Sequence, residues 1–115
     1  YGAMSTTSIG REAESNVAEH LKKLGYKLVD QNWRTKFCEI DLIMSKDDTV
    51  YFIEVKYRSS SKYGSGLEYI TPQKLRQMRF AAEMWLSSGK WAGDVQLCAV
   101  EVGSNQGTIE LVELV

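Results

Sequence analysis

Cysteine and histidine are scarce in this sequence, and neither charge dominates it. Two cysteines, Cys38 and Cys98, and one histidine, His20, stand among 115 residues. The cysteines have no ligand-type spacing and the histidine has no second histidine to join it. A zinc centre and a disulfide framework are therefore excluded, and both thiols are expected buried in strands in a reducing cytosol. His20 reads as structural. No apolar run approaches the roughly 20 residues of a membrane-spanning helix, so no membrane partner is expected. The opening YGAMSTTS lacks the basic and apolar regions of a secretory leader, which leads to an expected cytoplasmic location. YGA reads as an expression scar before Met4, and residues 4–115 are expected to form one domain.

The formal net charge is −1. That argues against a strong nonspecific DNA binder, which carries a basic surplus. The distribution tempers the total. From Lys56 to Arg79 the basic residues are Lys56, Arg58, Lys62, Lys74, Arg76 and Arg79, and the only acid is Glu68. A local basic stripe can exist on a neutral chain. No glycine-rich phosphate cradle is present, which disfavours a hydrolase of small phosphate esters.

The element pattern is helix, three strands, helix, two strands. TSIGREAESNVAEHLKKLGY places Ile9, Ala13, Val17, Leu21 and Leu24 on one helical stripe, with Thr7 or Ser8 as cap and Gly25 as stop. YKLVDQNWR, FCEIDLIMS and TVYFIEVKY read as strands, the last two joined by the turn KDD. RSSSKYGSGLEYIT is rich in Ser and Gly and reads as a loop. TPQKLRQMRFAAEMWLSSG reads as a helix with Pro72 in its first turn after the Thr71 cap. Its inner face carries Leu75, Met78, Ala82, Trp85 and Leu86. GDVQLCAVEV and GTIELVELV complete the pattern, joined through GSNQG. The expected class is α/β, a mixed sheet with helices packed on it.

Charged residues interrupt the two central strands. Alternation puts Phe37, Glu39, Asp41 and Ile43 on one face, and Val50, Phe52, Glu54 and Lys56 on one face of the next strand. Ile40 with Leu42 and Ile53 with Val55 form aliphatic faces opposite. A tight hairpin brings Asp41 near Glu54. Two close carboxylates need a proton, a cationic neighbour such as Lys56, or a hard divalent cation. Glu14 lies at the edge of the first helix's stripe, facing the sheet. This set suits metal-assisted phosphodiester hydrolysis, in which Lys56 orients the attacking water or stabilises phosphate charge. The bland alternative is a solvated, salt-bridged sheet face. Glu39 fits either a further metal carboxylate or a partner for Arg34 or Lys36.

EIDLI followed by YFIEVKYR resembles the PD-(D/E)xK nuclease superfamily, with its restriction-endonuclease-like fold. Within it, the chain is similar to the YraN-type family of predicted endonucleases. GREAESNVAEHLKKLGYKLVDQNWR, EIDLIMSKDDTVYFIEVKYR and TPQKLRQMRFAAEMWL carry that similarity over most of the chain. Archaeal Holliday-junction resolvases are more distantly similar. The resemblance implies Mg2+- or Mn2+-dependent attack on DNA by Asp41, Glu54 and Lys56. It also implies a metal shell of Asp41, Glu54, Val55 and Glu14, the last through water, and Gln73 or Lys74 approaching the phosphate. Cys38 replaces the family's usual glycine before EIDLI, and Gly93 stands where an aromatic usually precedes Asp94.

Arg58 and Lys62 are candidates for phosphate contact, as is Lys74, and Tyr63 and Tyr69 for stacking on an unpaired base. Trp33, Trp85 and Trp91 read as core or rim. The expected substrate is branched or flapped DNA, because a chain this small has little room for sequence recognition. Two nicks in a branched duplex need two sites, which a homodimer would supply. The rival function is a catalytically silent module of the same fold that binds DNA or a protein.

Overall fold

The computed structural model describes residues 6–58, 70–103 and 109–114, without the side chains of residues 6–10, 58 and 110. Its elements are α1 (Thr6–Lys23), β1 (Lys27–Arg34), β2 (Glu39–Lys46), β3 (Thr49–Arg58), α2 (Pro72–Leu86), β4 (Asp94–Gly103) and β5 (Ile109–Leu114). The order is the one expected from the sequence. The strands form one sheet in the order β1-β2-β3-β4-β5. β3 and β4 are parallel, joined through α2, and the other pairs are antiparallel.

Local chemistry explains where the helices begin and end. α1 closes in a Schellman arrangement: Tyr26 N–H donates to the Leu21 carbonyl (3.0 Å) and Gly25 N–H to Lys22 (3.1 Å). Gly25 takes φ 98° there, a conformation open to glycine without a Cβ penalty. The start differs from expectation. The helix already includes Thr6, so Thr7 and Ser8 lie inside it. α2 begins as expected, with the Thr71 hydroxyl accepting from Lys74 N–H at 3.1 Å and Pro72 following in the first turn. β2 turns into β3 through Asp47 and Asp48, with Asp47 at φ 55°.

Two apolar layers sandwich the sheet. On the α1 side, Ala13, Val17, Ala18 and Leu21 pack on Leu42, Met44, Ile53, Cys98, Val100 and Val102. On the α2 side, Ala81, Ala82 and Trp85 pack on Ile40, Ile43, Val50 and Phe52. Each fully buried Val, Leu or Phe among them contributes about 1.5–3 kcal/mol. Leu24 departs from the expected stripe: it lies beyond the end of α1 and is 53% exposed. Gly93 has a steric cause. A Cβ there would run into the Asp48 carbonyl, because β4 starts tight against the β2–β3 turn, with Asp94 N–H on Asp48 O at 2.8 Å.

Cys98 is a buried strand thiol as expected, pushed up to about 12 by burial and then by Glu113. Cys38 is not. It stands before β2 in a turn and is half-buried. Trp85 is 1% exposed and meets Phe52 edge-to-face at 5.5 Å, but its indole N–H has no acceptor. Trp33 and Trp91 sit partly buried at the margin of the same cluster. Trp85→Ala should lose about 3–5 kcal/mol in urea unfolding through the cavity it leaves. Trp85→Phe should lose clearly less, because it keeps the ring contact and removes an unsatisfied donor.

Candidate active site at a fork in the sheet

The β2–β3 ladder stops at Leu42 opposite Ile53. Beyond that point β2 stays with β1, pairing Ile40 to Trp33 and Glu39 to Arg34. β3 stays with β4, pairing residue for residue as far as Arg58 and Gly103. The two central strands therefore part like a fork, and Asp41 and Glu54 stand where the ladder would have continued. Parting strands leave backbone donors without ladder partners. Here the Val55 N–H donates to Asp41 Oδ2 at 2.8 Å instead of to a β2 carbonyl. In an extended strand a residue's carbonyl points the same way as its N–H, so the Val55 carbonyl also opens towards the fork.

The cause of the parting lies one strand further out. Asn32 in β1 has φ 54°, a left-handed conformation uncommon for a residue with a side chain and tolerated best by Asn and Asp. Side chains two apart on a strand ordinarily share a face. Here Gln31 reaches Ser15 Oγ of α1 at 3.4 Å, whereas Trp33 packs on the α2 layer. β2 changes face at the same level: Leu42 packs towards α1 and Ile40 towards α2. The register of the two strands continues through this point. The expectation that Ile40 and Leu42 share an aliphatic face is thus corrected, because the strand pair rolls over between them and turns Asp41 into the fork.

Asp41, Glu14 and Glu54 face one another there, and Glu39 stands at the margin. The Asp41 carboxyl is pushed up to about 7, first by burial and then by the charge of Glu54, with Glu14 and Glu39 adding to it. The Val55 N–H opposes this rise by favouring the ionised form. Glu14, from α1, is also held above the usual carboxylate range, mainly by burial. Side-chain hydrogen bonds that the Glu14 carboxylate accepts from Asn32 and Asp41 work the other way. Its Oε1 is buried without a hydrogen-bond partner. An unsatisfied carboxylate oxygen in a cluster of like charge is an arrangement that needs a cation or protons.

The remaining site candidates scatter around this centre. Glu54 Oε2 accepts from Lys74 Nζ of α2 at 3.0 Å, so Lys74 lies at the fork. Gln73 stands beside it at the start of α2. Lys56 is exposed on β3, level with Glu101 in β4. Glu39 makes a loose exposed pair with Arg34 at 3.9 Å, which fits the structural alternative for that residue. The Arg58 side chain, Lys62, Tyr63 and Tyr69 lie outside the described residues. Asn32 is a residue of the site that motif and spacing do not single out. Its one sequence signal is an Asn inside a strand pattern, a residue depleted in strands and more tolerant than most of the left-handed region.

The donor set suits a hard divalent ion in kind: carboxylate oxygens from Asp41 and Glu54, the orphaned Glu14 Oε1 and a carbonyl beside them. Among the described residues, no group of three or more His, Cys, Asp or Glu side chains stands at metal-ligand spacing. A site of two direct carboxylates, with Glu14 acting through water, needs no such group, because Mg2+ commonly keeps several waters.

From the fork a groove of about 600 Å³ opens between α2 and the turn before β2. Its lining includes Glu39, Glu54, Gln73, Lys74 and Arg76, together with Phe37 and Phe80. Alternation puts Phe37 on the strand face of Glu39 and Asp41. It precedes the strand instead and is 75% exposed.

No helix among the described residues is long and apolar enough to cross a membrane. Residues 13–111 match the model of a family described as "Uncharacterised protein family UPF0102". A UPF0102 protein of Vibrio parahaemolyticus is 42% identical over 86 residues, covering 75% of this chain and 71% of the relative. One from Pseudomonas fluorescens is 35% identical over 106 residues, covering 90% and 88%. One from Syntrophomonas wolfei is 40% identical over 80 residues, covering 70% of each. With most of α1, the forked strands and α2 inside the matched span, the chain belongs to the UPF0102 family, the YraN-type group that its motifs resemble.

Proposed function

We propose that this chain is a metal-dependent DNA endonuclease that acts on branched or flapped DNA. The observation that carries the reading is the fork itself. It gathers Asp41, Glu54 and the orphaned Glu14 oxygen beside an exposed lysine on the strand that carries Glu54. Purely structural acids would be placed apart or each paired; here Lys74 pairs with Glu54, and Glu14 Oε1 is buried with no hydrogen-bond partner.

Asp41, Glu54 and the Val55 carbonyl would hold Mg2+ or Mn2+, and Glu14 would complete the shell through water. When bound, such an ion polarises the scissile phosphate and makes a nearby water more acidic. Lys56 sits on the face of Glu54, two residues on, and orients the attacking water or stabilises the charge building on the phosphate. Lys74 leaves Glu54 for the phosphate as DNA arrives, and Gln73, at the first turn of α2, supports that contact. Arg58 and Lys62 are further candidates for phosphate contact. Two strands of a branched duplex would be nicked by two copies of the chain, in the cytoplasm.

The Lys74–Glu54 pair also favours a second reading. A lysine that neutralises Glu54 at 3.0 Å lets the cluster persist without metal, as in a silent module that binds DNA or a protein.

Cleavage of labelled linear, flapped and four-way-junction DNA with Mn2+, Mg2+ or EDTA separates the two. The nuclease should cut one branched form with either metal and not in EDTA. Asp41→Asn and Lys56→Ala should each reduce the rate by about 100-fold or more. A folded parent that binds these forms and cuts none of them would leave the silent module.

Metal-free stability has a defined pH dependence. The folded protein keeps a proton on Asp41 up to about pH 7, whereas the unfolded chain loses it near 3.8. The stabilising contribution is therefore complete below that lower value and is lost as pH rises through about 7. Asp41→Asn removes the dependence while its amide oxygen can still accept from Val55 N–H. In EDTA at pH 8 the variant should melt several degrees above the parent, and at pH 4 the two should coincide. Millimolar Mg2+ at pH 8 should raise the melting temperature of the parent and not that of the variant. An unmoved parent would count against the metal site.

A further inference from the structure

We propose that the groove between α2 and the turn before β2 binds unpaired nucleotides, with Phe37 and Phe80 stacking on a base and Lys74 and Arg76 receiving its flanking phosphates. The inference rests on the nuclease reading above and names the feature of DNA that the site selects: an unpaired strand beside the phosphate to be cut.

Phe37 and Phe80 are 75% and 46% exposed, and both line the groove that reaches Glu54 and Lys74. Their exposure is not a loose end of the fold. The Phe37 turn is tied down: the Thr35 hydroxyl accepts from the N–H groups of Phe37 (3.0 Å) and Cys38 (3.2 Å), and Thr35 N–H donates to the Cys38 carbonyl (2.8 Å). Phe80 stands on α2 one turn beyond Arg76, on the helix side that lines the groove. Apolar rings held rigidly in water are unfavourable unless something covers them.

The occupant follows from the chemistry beside the rings. A volume of about 600 Å³ admits a nucleotide-sized ligand. Lys74 and Arg76 supply cations for an anionic backbone, and the flat rings accept any base on a π-face. A base inside a duplex has both faces covered by its neighbours and offers only its edges. A stacking site therefore takes a flap, a single strand or a nucleotide at a junction, and not intact duplex.

Binding is measured by fluorescence anisotropy in EDTA, which separates it from cutting. The probes are a blunt duplex, a flapped duplex, and the same flap with an abasic site at its first unpaired nucleotide. Phe37→Ala and Phe80→Ala should each weaken flap binding by about 5- to 50-fold and leave the blunt duplex within about 2-fold of the parent. Phe37→Tyr should restore the affinity, because the ring is kept. The abasic flap should bind the parent as weakly as the intact flap binds the alanine variants, with no further loss when the two changes are combined.

Equal losses on blunt and flapped DNA, unchanged affinity, or an abasic penalty that persists in the Phe37→Ala, Phe80→Ala double variant would overturn the proposal. So would a shift from dimer to monomer by sedimentation in the alanine variants, since the rings would then cover each other between copies. A parent that binds and cuts flaps while the aromatic variants match it would sink this inference alone. A parent that binds no DNA would sink the nuclease reading with it.

Discussion

The hydrogen bond from Val55 N–H to Asp41 Oδ2 joins what would otherwise be a defect to the chemistry of the site. Separating two strands in the middle of a sheet strands backbone donors and acceptors, and an unmet backbone group is expensive. At this fork a carboxylate replaces the missing ladder partner. The same bond fixes where that carboxylate points. Burial first, and then the charges of Glu54 and Glu14, raise Asp41, and protons, Lys74 or a cation can relieve the repulsion.

The two helices contribute differently to that tension. α1 packs an apolar stripe on the sheet and brings Glu14 in at its edge, so a hydrophobic contact carries an acid into a buried place. α2 starts at a rigid cap, Thr71 followed by Pro72, and places Gln73 and Lys74 within its first turn. Its interior half packs through Ala81, Ala82 and Trp85, while the side with Arg76 and Phe80 is left to the groove. One helix thus deepens the negative centre and the other brings a cation to meet it.

Much of this was legible from residue order. The element sequence followed from periodicity and stop signals such as Gly25 and Thr71-Pro72. The proximity of Asp41 and Glu54 followed from the short KDD turn, because a tight hairpin leaves little freedom of register. The placing of Glu14 towards the sheet followed from its position at the edge of an amphipathic stripe. Strict alternation failed at one place: it kept Ile40 and Leu42 on one face and drew Phe37 into the strand. A two-residue period presumes an unbroken β conformation, and Asn32 breaks it on the neighbouring strand. No residue within β2 announces the roll, since its cause is across the ladder.

Composition, spacing and capping residues sufficed for the class of fold, the strand and helix order and the gathering of acids on a central hairpin. These depend on local propensity and on short-range periodicity, which a linear chain carries in full. The fork, the hydrogen bond that closes it, the orphaned Glu14 oxygen, the Lys74–Glu54 pair and the outward Phe37 came only with the assembled sheet. Each of them joins groups far apart in sequence or depends on a backbone angle set by a neighbouring strand. Their free energy comes from burial and charge in three dimensions, and so they have no signature along one.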